Sequence, residues 1–218
     1  MSLEILYEDD AILVCVKPAG IATQTKRIGE KDMESMLRTY RVQKGEPPYI
    51  GVIHRLDQPV KGVMVFAKTK EAASDLSRQV AAKMADKFYY AMVDGVPEKK
   101  KESLEDYLQR DGRTNTSKVV PKGTVDAKRA ELSYEVLETD GKRSVLKIQL
   151  ATGRHHQIRV QLSNAGWPIV GDRKYNRNVR PEETKEPDRE LALCSYKIGF
   201  THPKTHRKME FEIDMPFQ

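Results

Sequence analysis

The sequence predicts an α+β fold in which a mixed, mainly antiparallel sheet carries two or three flanking helices. Short apolar runs with strand-like composition recur from Ile12–Lys17 to Met209–Ile213, so strands dominate. Helical periodicity is confined to a few segments, with Met33, Met36, Leu37 and Tyr40 the first. No internal repeat or low-complexity linker interrupts the chain, which is therefore read as a single domain over residues 1–218.

Taken in order, Leu3–Tyr7 and Ile12–Lys17 form strands around a Glu-Asp-Asp turn, and Pro18-Ala-Gly20 ends the second. The helix through Met33–Tyr40 stops at Gly45-Glu-Pro-Pro48. Thr69 is placed to cap a helix in which Ala72, Leu76, Val80 and Met84 recur as one apolar face. Phe88–Val93 is a strand closed by Asp94-Gly95. Residues 97–129, rich in Lys, Arg, Asp, Gly and Thr, are expected as short strands and exposed loops. Glu131–Val136 and Val145–Leu150 are strands. After Gly153 a helix runs through Gln157, Ile158 and Leu162 to Gly166, and Tyr175–Arg189 is a charged surface loop. Ala192–Phe200 and Met209–Ile213 finish as strands.

A chain of 218 residues is long enough to bury a substantial core. Its 38 Lys+Arg against 32 Asp+Glu leave a net charge of +6, which permits a polyanionic partner without demanding one. Cys15 and Cys194 sit in apolar runs and read as small core residues of a reducing compartment. The first residues carry no leader pattern, and no apolar run approaches the ~20 residues of a membrane helix. The expectation is a cytoplasmic monomer without membrane contact.

Three stretches carry chemistry. Val52-Ile53 and Val63–Ala67 are core-seeking, yet His54, Arg55, Asp57 and Lys61 lie between them. A carboxylate flanked by cations suits a nucleophile or base better than a general acid. The same residues also suit an ordinary polar turn. In Leu150–Leu162 the chain passes from a strand through Gly153 into a helix start, where Arg154 and free N–H groups would attract phosphate. Arg159, beside the core positions Ile158 and Val160, needs an acidic partner, and a buried Asp57 needs a cation. Each answers the other, although a solvated helix with scattered cations is the alternative. In Lys87–Gly95, Phe88 and Tyr90 share one strand face and Tyr89 takes the other. An exposed Tyr89 would stack on a planar ring, whereas a buried one is core.

Metal and cofactor sites are not expected. His155 and His156 are adjacent and should point to different sides, and Pro203 separates His202 from His206. There is no CxxC, HExxH or phosphate-binding glycine loop. A carboxylate-dependent glycosidase would need a second acid. Asp172 is a candidate, but Gly171-Asp172 reads as a turn.

These segments, in this order, resemble the RluA-type family of pseudouridine synthases. The resemblance rests on His54-Arg-Leu-Asp57 with Gly62 and Phe66-Ala-Lys68, and on Lys87, Tyr89, Ala91, Val93 and Gly95. It continues through Thr152-Gly153-Arg154, His156-Gln-Ile-Arg159, Pro168–Asp172, Leu191-Ala-Leu193 and Gly199–Pro203. The resemblance implies that Asp57 attacks a target uridine, Arg159 salt-bridges it and Tyr89 stacks on the uracil. Arg55 would fill the gap left by the extruded nucleotide, with His54, Lys87, Arg154, His156 and Gln157 also at the RNA. It further implies a pseudouridine synthase fold with the catalytic cleft across the sheet, no cofactor, and structured ribosomal or transfer RNA as partner. Lys83, Lys118, Lys122, Lys128, Arg129, Arg173, Lys174 and Arg177 are further candidates for the RNA backbone.

The chain also departs from the family. Gln58-Pro59-Val60-Lys61 replaces the usual x-x-Thr-Ser before Gly62, and His155 stands where a small polar residue is usual. Asp57 comes too early for a preceding S4 RNA-binding domain. A catalytically inactive RNA-binding protein on the same fold is the competing expectation, and the missing hydroxyl pair is the feature that favours it.

Overall fold

The longest apolar runs become the most buried strands. The computed structural model describes residues 3–25, 27, 29–176 and 190–217. In it, β1 (Glu4–Glu8), β2 (Ile12–Lys17) and β4 (Lys61–Ala67) form an antiparallel ladder, and every residue of β2 is buried. Asp9 shapes the β1–β2 turn by accepting the Ala11 and Ile12 N–H groups at 2.8 and 2.9 Å. The short β3 (Gly51–Val52) pairs with β4, and β10 (Leu193–Thr201) follows β4 in the sheet with β11 (Lys208–Glu212) antiparallel beside it.

Two helices belong to the same part of the chain. For α1 (Met33–Gln43), Asp32 accepts the Ser35 N–H at 2.7 Å while Ser35 Oγ accepts the Asp32 N–H, a reciprocal cap. For α2 (Lys70–Ala81), Thr69 Oγ1 accepts the Ala72 N–H at 3.1 Å, the cap read from sequence. Ala72 and Leu76 pack into a core with Ile12, Val14, Val63 and Val65. Met84 does not continue that face. Lys83 turns left-handed at φ 58°, the helix has already ended, and Met84 is 63% exposed.

The remaining strands form one antiparallel run in the order β5 (Asp86–Asp94), β9 (Arg143–Leu150), β8 (Lys128–Thr139), β6 (Lys101–Asp111) and β7 (Thr116–Val120). Val160 of α3 (Gln157–Asn164) packs on Leu108 and Ala130 of this sheet. Residues 97–129 thus depart from the short-strand expectation, because β6 alone spans 11 residues. Its two neighbouring strands satisfy its backbone, so only Leu108 is fully buried and the charged side chains alternate outward. The start of the expected 175–189 loop also differs: Tyr175 is half-buried and Asn176 buried, while 177–189, with Arg177, lie outside the described residues.

The α+β reading therefore holds, with a mixed, mostly antiparallel sheet and few helices. Within the chain the contacts gather into two compact units, residues 1–87 with 195–214, and residues 88–194 with 215–218. Among the described residues no helix is long and apolar enough to cross a membrane.

Gly62 marks the tightest packing in the first unit. A Cβ there would lie 2.3 Å from the Ser195 carbonyl oxygen and 2.5 Å from its Cβ, at a φ of +152°. Gly62→Ala is expected to lower unfolding free energy by about 1–3 kcal/mol through overpacking, measured by urea denaturation.

Candidate active site

Asp57 sits where an apolar strand has not yet begun. It is half-buried between Leu56, 6% exposed, and the exposed Gln58-Pro59 turn, and its carbonyl accepts the Val60 N–H at 3.0 Å. Leu56 is held on both sides of its peptide by Thr23, whose Oγ1 donates to Leu56 O at 3.0 Å and accepts its N–H at 3.1 Å. Gln58 is clasped by Gly20. The Gly20 N–H reaches Gln58 O at 2.9 Å, and Gln58 Nε2 reaches Gly20 O at 3.0 Å.

Lys17, at the end of β2, completes this arrangement. Its side chain has no exposed surface, and its ammonium donates to Pro18 O, Ile21 O and Gln58 O at 2.9, 2.6 and 3.0 Å. Burial pushes its pKa down to about 8, and the Asp57 carboxylate opposes that shift. Sequence reasoning named neither Lys17 nor Thr23. An invariant-looking signal was lacking, although a lysine ending a fully apolar strand is itself an anomaly that needs acceptors.

The neighbours of Asp57 divide. Arg55 is exposed and forms no hydrogen bond or ion pair among the described residues. His54 is half-buried: its Nε2 accepts the Val65 N–H at 3.3 Å, and burial, with the nearby Lys87 charge, pushes its pKa down to about 4. Lys87 is half-buried, and burial lowers its pKa too.

In the second unit the buried Arg159, 5% exposed, does have an acidic partner. Its Nε and Nη2 donate to Asp172 at 2.7 and 2.8 Å, a bidentate pair in which Asp172 is 1% exposed. Asp172 is also the turn residue expected, since Oδ1 accepts the Lys174 and Tyr175 N–H groups. The Arg159 guanidinium lies 5.1 Å from the Tyr175 ring centre. The Tyr175 hydroxyl accepts the Ser117 N–H at 2.8 Å and pairs with His156 Nδ1 at 2.7 Å.

Other predicted residues of this unit are placed differently from expectation. His155 and His156 do not diverge: their rings stack at 3.8 Å, made possible by the left-handed φ of 52° at His156. His155 bridges Ser117 Oγ and Asn115 Oδ1. His156 is buried. Gln157, expected at the RNA, is 3% exposed. Its Oε1 accepts from Thr152 Oγ1 and the Arg154 N–H while Nε2 donates to Glu131 O, so its amide closes the turn before α3. Arg154 is exposed but anchored through Nε to Arg129 O at 2.9 Å. Tyr89 is 6% exposed in β5, opposite Ile148. Arg129 itself forks Glu105 and meets Glu131, leaving it less available to RNA than its neighbours Lys118, Lys122 and Lys128, which are exposed.

A buried bidentate Arg–Asp pair and a half-buried, clamped aspartate after His-Arg-Leu point to a class of RNA-modifying proteins, and comparison with known proteins agrees. Residues 11–164 match the family model described as RNA pseudouridylate synthase, and the chain belongs to that family. It is 33% identical to the ribosomal large subunit pseudouridine synthase D of Neisseria meningitidis over 99% of its own length, spanning 59% of that protein. It is 35% identical to the dual-specificity RNA pseudouridine synthase RluA of Vibrio parahaemolyticus over 93% of its length and 79% of that protein. The structure of human RNA pseudouridylate synthase domain containing 4 matches with a TM-score of 0.80 at 23% identity, covering 98% of this chain and 88% of that one, and so shares its fold.

Two measurements test this account of the charges. Asp172→Ala removes the bidentate acceptor of the buried Arg159 and is expected to cost about 3–5 kcal/mol in urea unfolding, whereas loss of the exposed Arg129 pairs by Arg129→Ala costs under about 1 kcal/mol. For His54 the folded pKa of about 4 lies below the ordinary 6.5, so the unfolded chain binds the proton first as pH falls. The stability it supplies is complete above pH 6.5 and lost towards pH 4. His54→Gln, which keeps an acceptor for Val65, should flatten the stability profile across that window.

Proposed function

We propose that this chain is an RNA pseudouridine synthase that isomerises uridines in structured ribosomal or transfer RNA, with Asp57 as the catalytic carboxylate. The observation that carries the reading is Asp57 itself. It is half-buried within His54-Arg-Leu-Asp57, with Leu56 on one side and Gln58 on the other held by hydrogen bonds, in a chain of this family. Relatives named for modification of the large ribosomal subunit support ribosomal RNA as a substrate, and a relative named dual-specificity supports a broader one.

The reaction breaks the C1′–N1 bond of uridine, turns the uracil and joins C1′ to C5. A proton leaves C5 and one is taken up at N1, so the product is an isomer and no electrons are exchanged with a cofactor. The nucleotide must first leave its stack, at a cost of a few kcal/mol that is smallest in loops. Arg55, exposed and without a protein partner among the described residues, is suited to the space left in the RNA. Tyr89 is assigned to the base and Arg159 to the electrostatics of the reacting carboxylate, roles that rest on the family resemblance. Arg159 enters with its guanidinium already oriented by Asp172, which limits the reorganisation needed during reaction. Exposed Lys118, Lys122, Lys128, Arg173 and Lys174 supply sequence-independent attraction to phosphates.

The test uses unmodified ribosomal and transfer RNA labelled with tritium at uracil C5. Wild-type chain is expected to release tritium with matching pseudouridine formation, and Asp57→Asn to release none. Bound RNA without tritium release from the wild-type chain would leave an RNA-binding protein instead.

A further inference from the structure

The carboxylate proposed as catalytic is gripped through its sequence neighbours by one distant segment. Residues 17–23 meet Leu56 through both bonds of Thr23 Oγ1, and meet Gln58 through the reciprocal Gly20 pair and through Lys17 Nζ. Asp57 therefore has its backbone fixed immediately before and immediately after it. The grip is itself braced. The first N–H groups of α1, which no helical carbonyl satisfies, are taken by this segment: Met33 N–H donates to Ala22 O at 3.0 Å and Glu34 N–H to Thr23 O at 3.2 Å. Asp32, the residue that caps α1, also accepts the Thr25 N–H at 2.6 Å.

Building on the reading of Asp57 as the reacting group, we propose that Thr23 and Gln58 are positioning residues that set its carboxylate through the α1-braced 17–23 segment. Thr23 is 3% exposed and cannot touch an RNA from the outside. Its hydroxyl also approaches Met64 Sδ at 3.7 Å, so its rotamer is fixed by the core beneath. Gln58 is exposed, yet its amide and carbonyl both serve Gly20, at a position where the chain already departs from the family pattern nearby. A stacking, phosphate-binding or proton-transferring role would leave these groups facing the ligand. Here they face backbone. A carboxylate displaced by about 1 Å loses on the order of 100-fold in rate, which makes such restraint visible in turnover.

The experiment is single-turnover and steady-state tritium release by Thr23→Val, Thr23→Ser and Gln58→Ala, each at equal folded fraction. Valine removes both hydroxyl bonds at nearly constant volume. Serine keeps them. The inference expects kcat to fall about 10- to 100-fold for Thr23→Val with KM within about twofold, and Thr23→Ser to restore most of it. Gln58→Ala, which removes the Nε2 half of the Gly20 clasp and leaves the backbone bonds and the core intact, should lower kcat in the same sense by a smaller factor and so carries the test if Thr23→Val does not fold. Wild-type kcat in Gln58→Ala and in any folded Thr23→Val, or a loss confined to KM, would overturn the inference while leaving Asp57 as the catalytic group. An inactive wild-type chain would overturn both.

Discussion

A primary ammonium with no exposed surface tolerates no unpaired N–H group. Lys17 carries three donors and meets three carbonyl oxygens, those of Pro18, Ile21 and Gln58. Two of these belong to the turn that follows β2 and the third to the turn that follows Asp57. The charge thereby decides two backbone conformations at once. Gly20 fits that requirement with a φ of +83°, which lets its N–H face Gln58 O. Remove the ammonium and the Pro18 and Ile21 carbonyls lose its N–H groups, while Gln58 O is left with the Gly20 N–H alone. The Asp57 carboxylate favours the ammonium in return.

The second unit applies the same rule with larger groups. Arg159 is almost wholly buried and Asp172 answers it in a fork, while the Tyr175 ring covers the guanidinium. Tyr175 is in turn fixed by Ser117 from β7 and by His156 from the start of α3. A buried ion pair of this kind adds little net stability over an apolar pair, but it holds direction well. Orientation is what electrostatic catalysis needs, because donors already aimed do not have to reorganise as charge develops. The Asp172 fork and the Tyr175 ring thus fix the direction of the Arg159 guanidinium.

Much of this was legible in sequence wherever the relevant contacts are local. The Thr69 cap, the Ala72–Leu76 face and the strand at Ile12–Lys17 were read directly, because caps and periodicity act over a few residues. The long β6 was missed because its charged alternation mimics loop composition, and only pairing with β7 and β8 makes it a strand. Asp57 and Arg159 stood out through chemistry that their surroundings made costly. Lys17 and Thr23 did not, since the bonds that tie them to the turn around Asp57 reach 41 and 33 residues along the chain. The internal hydrogen bonds of Gln157 and His54, which close a turn and meet a strand, likewise have no mark in the sequence around them.

The departure at Val60-Lys61 also acquires a physical sense. Val60 is 2% exposed, and its N–H serves the Asp57 carbonyl. A hydroxyl at that depth would itself need a partner, and valine removes the need by filling the site with methyl groups. What a hydroxyl pair contributes to loop restraint can come instead from the opposite flank, where Gln58 is bound by Gly20 and Lys17. Loss of the two hydroxyls therefore leaves the restraint on this turn in place: Asp57 stays half-buried, with its backbone held before it by Thr23 and after it by Gly20 and Lys17.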